Sequence, residues 1–398
     1  MAGIAAGPSG MRSPNWRMDG YMEAKGTLAL RRLVGRLYKQ YVSAADQALF
    51  DFVFSNEPTQ ESLKRCLDAC DIEVVGADKA VLLSYVGYEH PELKFSDYAG
   101  PRIKGLNTFF RFKNMKVLSH FSRIGKAYNE AGIPMLLFKG GAMKVLRPNL
   151  SRPMGDVDIL IPAERIDEAT AIGESLGYMH FWEESKHAVD FHTETESAVD
   201  VHHALFDPEA GCDQTPLCKA LFARATPYHA FGVDFLLPCH EDLCFLVMNN
   251  LTKNLREHTS LHGIYFSLCD CDWLQKNKPE FDWRLVREDA AACGREMETR
   301  FAAEFMNHIA PGLIPDPDRH LPGRAMEEFC NQVVYDEDYF LPRRLRCQQL
   351  RVLELKKEPY RWGMYIFKYL IMRRFLKNPA FVRWFLRRKE RLEVSHVH

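Results

Sequence analysis

The chain has 398 residues, 46% of them hydrophobic and 26% charged, the composition of an ordinary globular protein with room for two or three domains. Its formal net charge of −1 hides an asymmetry: from Arg343 to Glu393 there are 16 Lys or Arg against 4 Glu, so a basic end follows an acidic body. Eleven Cys without a disulfide-like framework, and no secretory leader, favour a reducing cytoplasm as the expected location; no run reaches the roughly 18 apolar residues of a membrane span.

Residues 1–20 are rich in Gly, Ser, Pro and Met and read as a flexible leader. Residues 21–130 read as an N-terminal helical segment. Leu28, Leu30, Leu33, Val34 and Leu37 recur with helical period, as do Val117, Leu118, Phe121, Ile124 and Ala127. Pro91 and the stretch from Asp97 to Pro101 read as connectors.

The pattern changes over residues 131–236. Met135 to Phe138 is a short apolar run after Gly132-Ile133-Pro134, suited to a buried strand. Gly140-Gly141 opens a short helix with Met143, Val145 and Leu146, and Asp156 to Ile161 forms the next strand. A helix from Pro162 and Ala163 carries Ile166, Ala169, Ile172 and Leu176 on one face and ends at Gly177. Tyr178–Trp182, Ala188–His192 and Ala198–Leu205 supply further strands. Helices and strands mixed at this scale predict a small α+β or α/β domain.

Residues 237–342 return to helix, with Leu243, Leu246, Val247 and Leu251 on one stripe and Leu261, Ile264, Tyr265 and Leu268 following. Residues 343–398 form a basic extension in which Trp362, Tyr365, Tyr369, Phe381, Trp384 and Phe385 alternate with cations. Three readings stay open for it. It can dock on the acidic body, lie at an anionic membrane surface as a peripheral anchor, or, less favourably, bind nucleic acid.

The chemistry concentrates between Leu136 and Asp200. Asp156 and Asp158 are two apart on a strand and face one side of it; Asp200 sits on another strand within Val199-Asp200-Val201-His202. An isolated Asp-x-Asp pair on an exposed strand is a solvated face. Here Val157, Ile159, Leu160 and Ile161 surround Asp158, and an acid among buried residues is costly without a cation or hydrogen-bond partner. Mg2+ needs few protein carboxylates when phosphates supply the rest, and two such ions, or Mn2+ in their place, suit an in-line displacement. Asp156, Asp158 and Asp200 are therefore the expected metal ligands and catalytic acids. Lys139 with the N–H groups after Gly140 and Gly141 is the expected phosphate turn, and Arg152 a second phosphate or base contact. His202 shares a face with Asp200 and is a possible accessory group, against the alternative of a structural histidine. His180, His187 and His192 with Cys212 and Cys218 match no compact zinc spacing.

The order Leu136-Leu137-Phe138-Lys139-Gly140-Gly141, then Arg152-Pro153-Met154-Gly155-Asp156-Val157-Asp158-Ile159-Leu160-Ile161, Leu176-Gly177-Tyr178 and Val199-Asp200-Val201-His202 resembles the uncharacterised nucleotidyltransferases of the polymerase-beta-like superfamily. In that group Lys-Gly stands where better-known relatives carry Gly-Ser. The likeness continues through Glu241-Asp242-Leu243, Asp270 and Asp282-Trp283, and spans about Asn107 to Met306. It implies a nucleotidyltransferase catalytic domain over 131–236, a small mixed sheet flanked by helical segments. It also implies Mg2+-dependent transfer of an NMP group from an NTP, such as ATP, to an acceptor that the residues do not identify. Two other readings remain: a metal-dependent sugar-nucleotide glycosyltransferase, which also uses Asp-x-Asp, and a non-catalytic nucleotide-binding scaffold.

Overall fold

The computed structural model describes residues 15–55, 57–70, 82–83, 87, 90–149, 152–181, 187–194, 197–206, 213–257, 262–315, 324–331 and 333. The chain divides into a unit of Met1–Leu255 with Thr259–Cys330 and a second of Arg256–His258 with Asn331–His398. All but a few residues of the second, including the basic extension, lie outside the described residues, as does most of the leader.

A seven-stranded mixed sheet organises the first unit. Its strands are β1 (Leu136–Leu137), β2 (Val157–Leu160), β3 (Met179–Phe181), β4 (Ala188–His192), β5 (Ser197–His202), β6 (Thr226–Ala230) and β7 (Val233–Leu237), in spatial order β3-β4-β5-β2-β1-β7-β6. The β2–β5 and β1–β7 pairings are parallel and the others antiparallel. All four residues of β2 are buried, the signature of a central strand covered on both faces. Pro227 falls on the edge strand β6, where a missing N–H costs no ladder bond.

Helices surround the sheet: α1 (Asn15–Tyr41), α2 (Ala44–Val53), α3 (Gln60–Ala69), α4 (Ala99–Glu130), α5 (Lys139–Leu146), α6 (Ile166–Ser175), α7 (Thr215–Arg224), α8 (His240–Glu257), α9 (His262–Lys276), α10 (Trp283–Ala292) and α11 (Glu296–Ile309). The helical segments and mixed sheet expected from the sequence are therefore present. Gly177, at φ +83°, follows α6 as expected. The hairpin β6–β7 and helix α7 go beyond the sequence reading. Phe231 and Gly232, at φ +58° and +73°, form a two-residue turn of the kind that matches strand twist but which usually carries Asn-Gly. Without that pair, the turn left no mark.

Helix α4 is the backbone of the domain. Its buried face runs along β5, β7 and α6, with Phe121 edge-on to Phe235 and Tyr128 donating its hydroxyl to the Ala169 carbonyl at 3.0 Å. Near its middle the fully buried Asn114 donates to the Arg152 carbonyl at 2.5 Å and accepts from the Met154 N–H at 3.2 Å. This one amide fixes the chain just before Asp156. Asn114→Ala strands both backbone groups, and a loss of about 2 kcal/mol in unfolding free energy is expected by urea denaturation; a change under about 0.5 kcal/mol would show that the clamp is not holding.

Candidate active site

The site starts with strand register. In the parallel β2–β5 pair, Asp158 stands beside Asp200, Ile159 beside Val201 and Leu160 beside His202. Side chains alternate along a strand, so Asp158 and Asp200 emerge on the same face, and His202 emerges there too, two residues beyond Asp200. The ligand atoms of Asp158, Asp200 and His202 all lie within 4.8 Å of one another. His202 Nε2 lies 3.1 Å from Asp158 Oδ1 and 3.0 Å from Asp200 Oδ2, bridging the two acids. His203 points elsewhere, as alternation demands.

Lys139 closes the group from β1. The extended Phe138 leads into Lys139 at φ +48°, a left-handed conformation unfavourable for a side-chain-bearing residue and commonest at functional corners. From this corner the ammonium donates to Asp158 Oδ1. Helix α5 then starts with no side-chain cap, leaving first-turn N–H groups for another acceptor. Two close approaches explain the glycines. A Cβ on Gly140 would sit 2.5 Å from Arg152 Nη1, and one on Gly141 2.7 Å from Leu137 Cδ1.

The electrostatics follow from desolvation set against charge. Burial alone would raise Asp158, but the Lys139 ammonium and the His202 hydrogen bond overcome it and hold the carboxyl well below the ordinary range. Asp200 follows the same balance, burial opposed by His202, and ends lowered. Burial and Lys139 press His202 down, yet Asp200 and Asp158 raise it overall. Lys139 itself is raised, since Asp158 outweighs its burial. At Asp156 the Lys139 charge is too weak to offset the opposing effects. Burial, then repulsion from Asp158, push it up to about 7.

Asp200 Oδ1 is buried and accepts no hydrogen bond. Two carboxylates and an imidazole, each offering one ligand atom within 4.8 Å of the others, form a donor set able to hold a divalent cation. These residues fit a metal ion, and its identity is open among those that accept oxygen and imidazole. Asp156 does not belong to the close group and touches it through charge.

Three residues change meaning in the folded chain. Arg152, expected at a phosphate or base, directs Nη2 to Asp270 Oδ2 at 3.1 Å and stacks its guanidinium 4.9 Å from the Phe266 ring centre; it braces the Gly140 turn. Asp190, not singled out from the sequence, pairs across β4–β5 with Asp200, making a row of Asp158, Asp200 and Asp190 over three neighbouring strands. The signal was present: Val189-Asp190-Phe191-His192 repeats the pattern of Val199-Asp200-Val201-His202. His187, weighed in the sequence only for zinc, sets its ring 5.2 Å from that of His202, and burial followed by the His202 charge drives it down to about 3.

The acids farther along the chain brace the helices. Arg224 Nη2 reaches Asp289 Oδ1 at 2.5 Å and joins α7, α8 and α10 by also pairing with Asp242. Buried Glu241 accepts from the Asp282 N–H at 2.9 Å and pairs with Lys278.

The model of the family described as "Uncharacterised nucleotidyltransferase" matches residues 93–311, more than half of the chain, and the chain belongs to that family. Comparison with curated proteins returns no match. Among solved structures, the chain is similar to one titled as the antibiotic-resistance factor ANT(2'')-Ia in solution. Identity is 19% over 49% of this chain and 97% of that one, with a TM-score of 0.34, a likeness too distant to transfer a role to any residue here.

Asp156 offers a test of the site's charge balance. Its folded pKa lies above the unfolded value, so its contribution to stability is best at low pH and worsens as pH climbs from the ordinary carboxylate range through about 7. Asp156→Asn is expected to stabilise the chain by about 1–3 kcal/mol at pH 8, after discounting for partial exposure, and by nothing below about pH 4. Thermal or urea unfolding across this range checks it; a substitution that is neutral at pH 8 contradicts it.

Proposed function

We propose that the protein transfers a nucleoside monophosphate group from an NTP to an acceptor hydroxyl, releasing pyrophosphate, with Mg2+ or Mn2+ held by Asp158 and Asp200 and by Asp156 once ionised. The observation that carries this reading is the Asp158–Asp200 register pair, with its unpartnered oxygen, in a chain of a nucleotidyltransferase family. The bound ions would supply Lewis-acid stabilisation of the phosphoryl oxygens and of the departing pyrophosphate.

The chain's own residues have separable tasks in this proposal. Lys139 and the uncapped N–H groups of Lys139, Gly140 and Gly141 receive the β- and γ-phosphates, an anion at a helix start. Arg152 contributes through Gly140, against which its guanidinium packs closely. As the acceptor oxygen bonds to the α-phosphorus and the bond to the bridging oxygen breaks, the hydroxyl proton passes to Asp200. His202 holds Asp158 and Asp200 in place and buffers their charge. The elevated Asp156 fits a cation site: ionising it without one is unfavourable, and an incoming ion reverses the balance.

The acceptor need not be known to test the nucleotide half. With Mn2+ present, each labelled NTP is titrated into the protein and then incubated with fractionated small-molecule, protein and RNA acceptors. Saturable, cation-dependent binding of at least one NTP is expected, together with transfer of the α-phosphate label. Asp158→Asn and Asp200→Asn should each lower transfer by about a hundredfold or more, the scale of a lost group in a phosphoryl-transfer site. Binding without transfer to any fraction would favour a nucleotide-binding scaffold. Transfer unaffected by either substitution would refute the proposal.

A further inference from the structure

Helix α4 carries a second, outward face that the site does not use. From Ala99 to Asn129 it contains seven cations (Arg102, Lys104, Arg111, Lys113, Lys116, Arg123 and Lys126) and no acid. Phe109, Phe112 and Met115, spaced three apart, are 50%, 72% and 61% exposed; Phe112 is the most exposed large hydrophobic among the described residues. At 100° per residue Phe112 lies nearly opposite the buried Phe110, Asn114 and Val117. Lys113, Lys116 and Phe109 fall on one side of it, and Met115, Lys104 and Arg111 on the other. All five of Arg102, Lys104, Arg111, Lys113 and Lys116 are exposed.

We propose that this face of α4 seats the protein on an anionic lipid surface, with Phe109, Phe112 and Met115 inserted among the acyl chains and the flanking Lys and Arg at the headgroups. The two halves of the pattern point to one partner. Uninterrupted positive charge selects an anionic surface, and an apolar ridge bordered by cations is the arrangement of helices lying in the membrane interface. Nucleic acid would account for the cations but leave Met115 and the convex ridge unexplained, since base stacking uses flat rings along a groove. None of the described helices is long and apolar enough to cross a membrane, so the contact lies on the surface. The helix is held by its opposite side, where Asn114 grips the segment before Asp156 and Phe110 packs with Phe266; it can insert side chains without leaving the fold. This inference does not depend on the transfer reaction.

The test is co-sedimentation of the full chain with phosphatidylcholine vesicles and with vesicles containing 30% phosphatidylserine. Binding to the serine-containing vesicles only is expected, weakening as salt is raised. The basic extension is left intact in two α4 variants, F112S/M115S and R111E/K113E, and each should lower partitioning at least tenfold with the far-UV spectrum unchanged. Three results would overturn the proposal: equal binding to both vesicle types or to neither; variants that sediment like the parent; or variants that lose oligonucleotide binding or self-association while still sedimenting with vesicles.

Discussion

Everything at the site depends on one pairing: β2 lies parallel to β5 in a register that sets Asp158 beside Asp200. A slip of one residue would turn one acid to the opposite face of the sheet and separate the two. The apolar residues that alternate with them prevent the slip. Val157, Ile159, Val199 and Val201 are all fully buried, so the register that satisfies the core is the one that brings the carboxylates together. Hydrophobic burial therefore supplies the free energy that two neighbouring acids oppose. Lys139 and His202 reduce the opposition from either side.

The charge pattern that results is lopsided. Asp158 and Asp200 sit below their ordinary range because Lys139 and His202 outweigh their burial, while at Asp156 burial and the charge of Asp158 outweigh Lys139 and push it up to about 7. The same contrast governs acid sensitivity. The stabilisation by Asp158 is present above its unfolded pKa and is lost as pH falls through the depressed folded value. The Asp156 penalty instead grows with rising pH. A cation bound beside Asp156 would reverse that penalty.

Much of this was legible in the sequence because it rests on local periodicity. Asp158 among Val157, Ile159, Leu160 and Ile161 declared both the strand and its conflict with burial. Period-two spacing put His202, rather than His203, with Asp200. The Gly140-Gly141 turn and the stop at Gly177 were read from residue type. Information carried by distant partners was not legible. The pairing of Arg152 with Asp270 was not legible because Asp270 is far along the chain; Asn114 carried no sign that its amide would clamp residues 152–154. Asp190 had its signal in a repeated Val-Asp-apolar-His pattern, but its alignment with Asp200 required the antiparallel β4–β5 pairing.

The central claim is that Asp158 and Asp200 share a divalent cation. The most direct measurement is anomalous diffraction from crystals grown with Mn2+ and a non-hydrolysable NTP. The account predicts a manganese peak bonded to carboxylate oxygens of both Asp158 and Asp200, with Lys139 moved from Asp158 toward the phosphates. Manganese bound elsewhere, or no peak while Lys139 and His202 still occupy both acids in the presence of bound nucleotide, would contradict it.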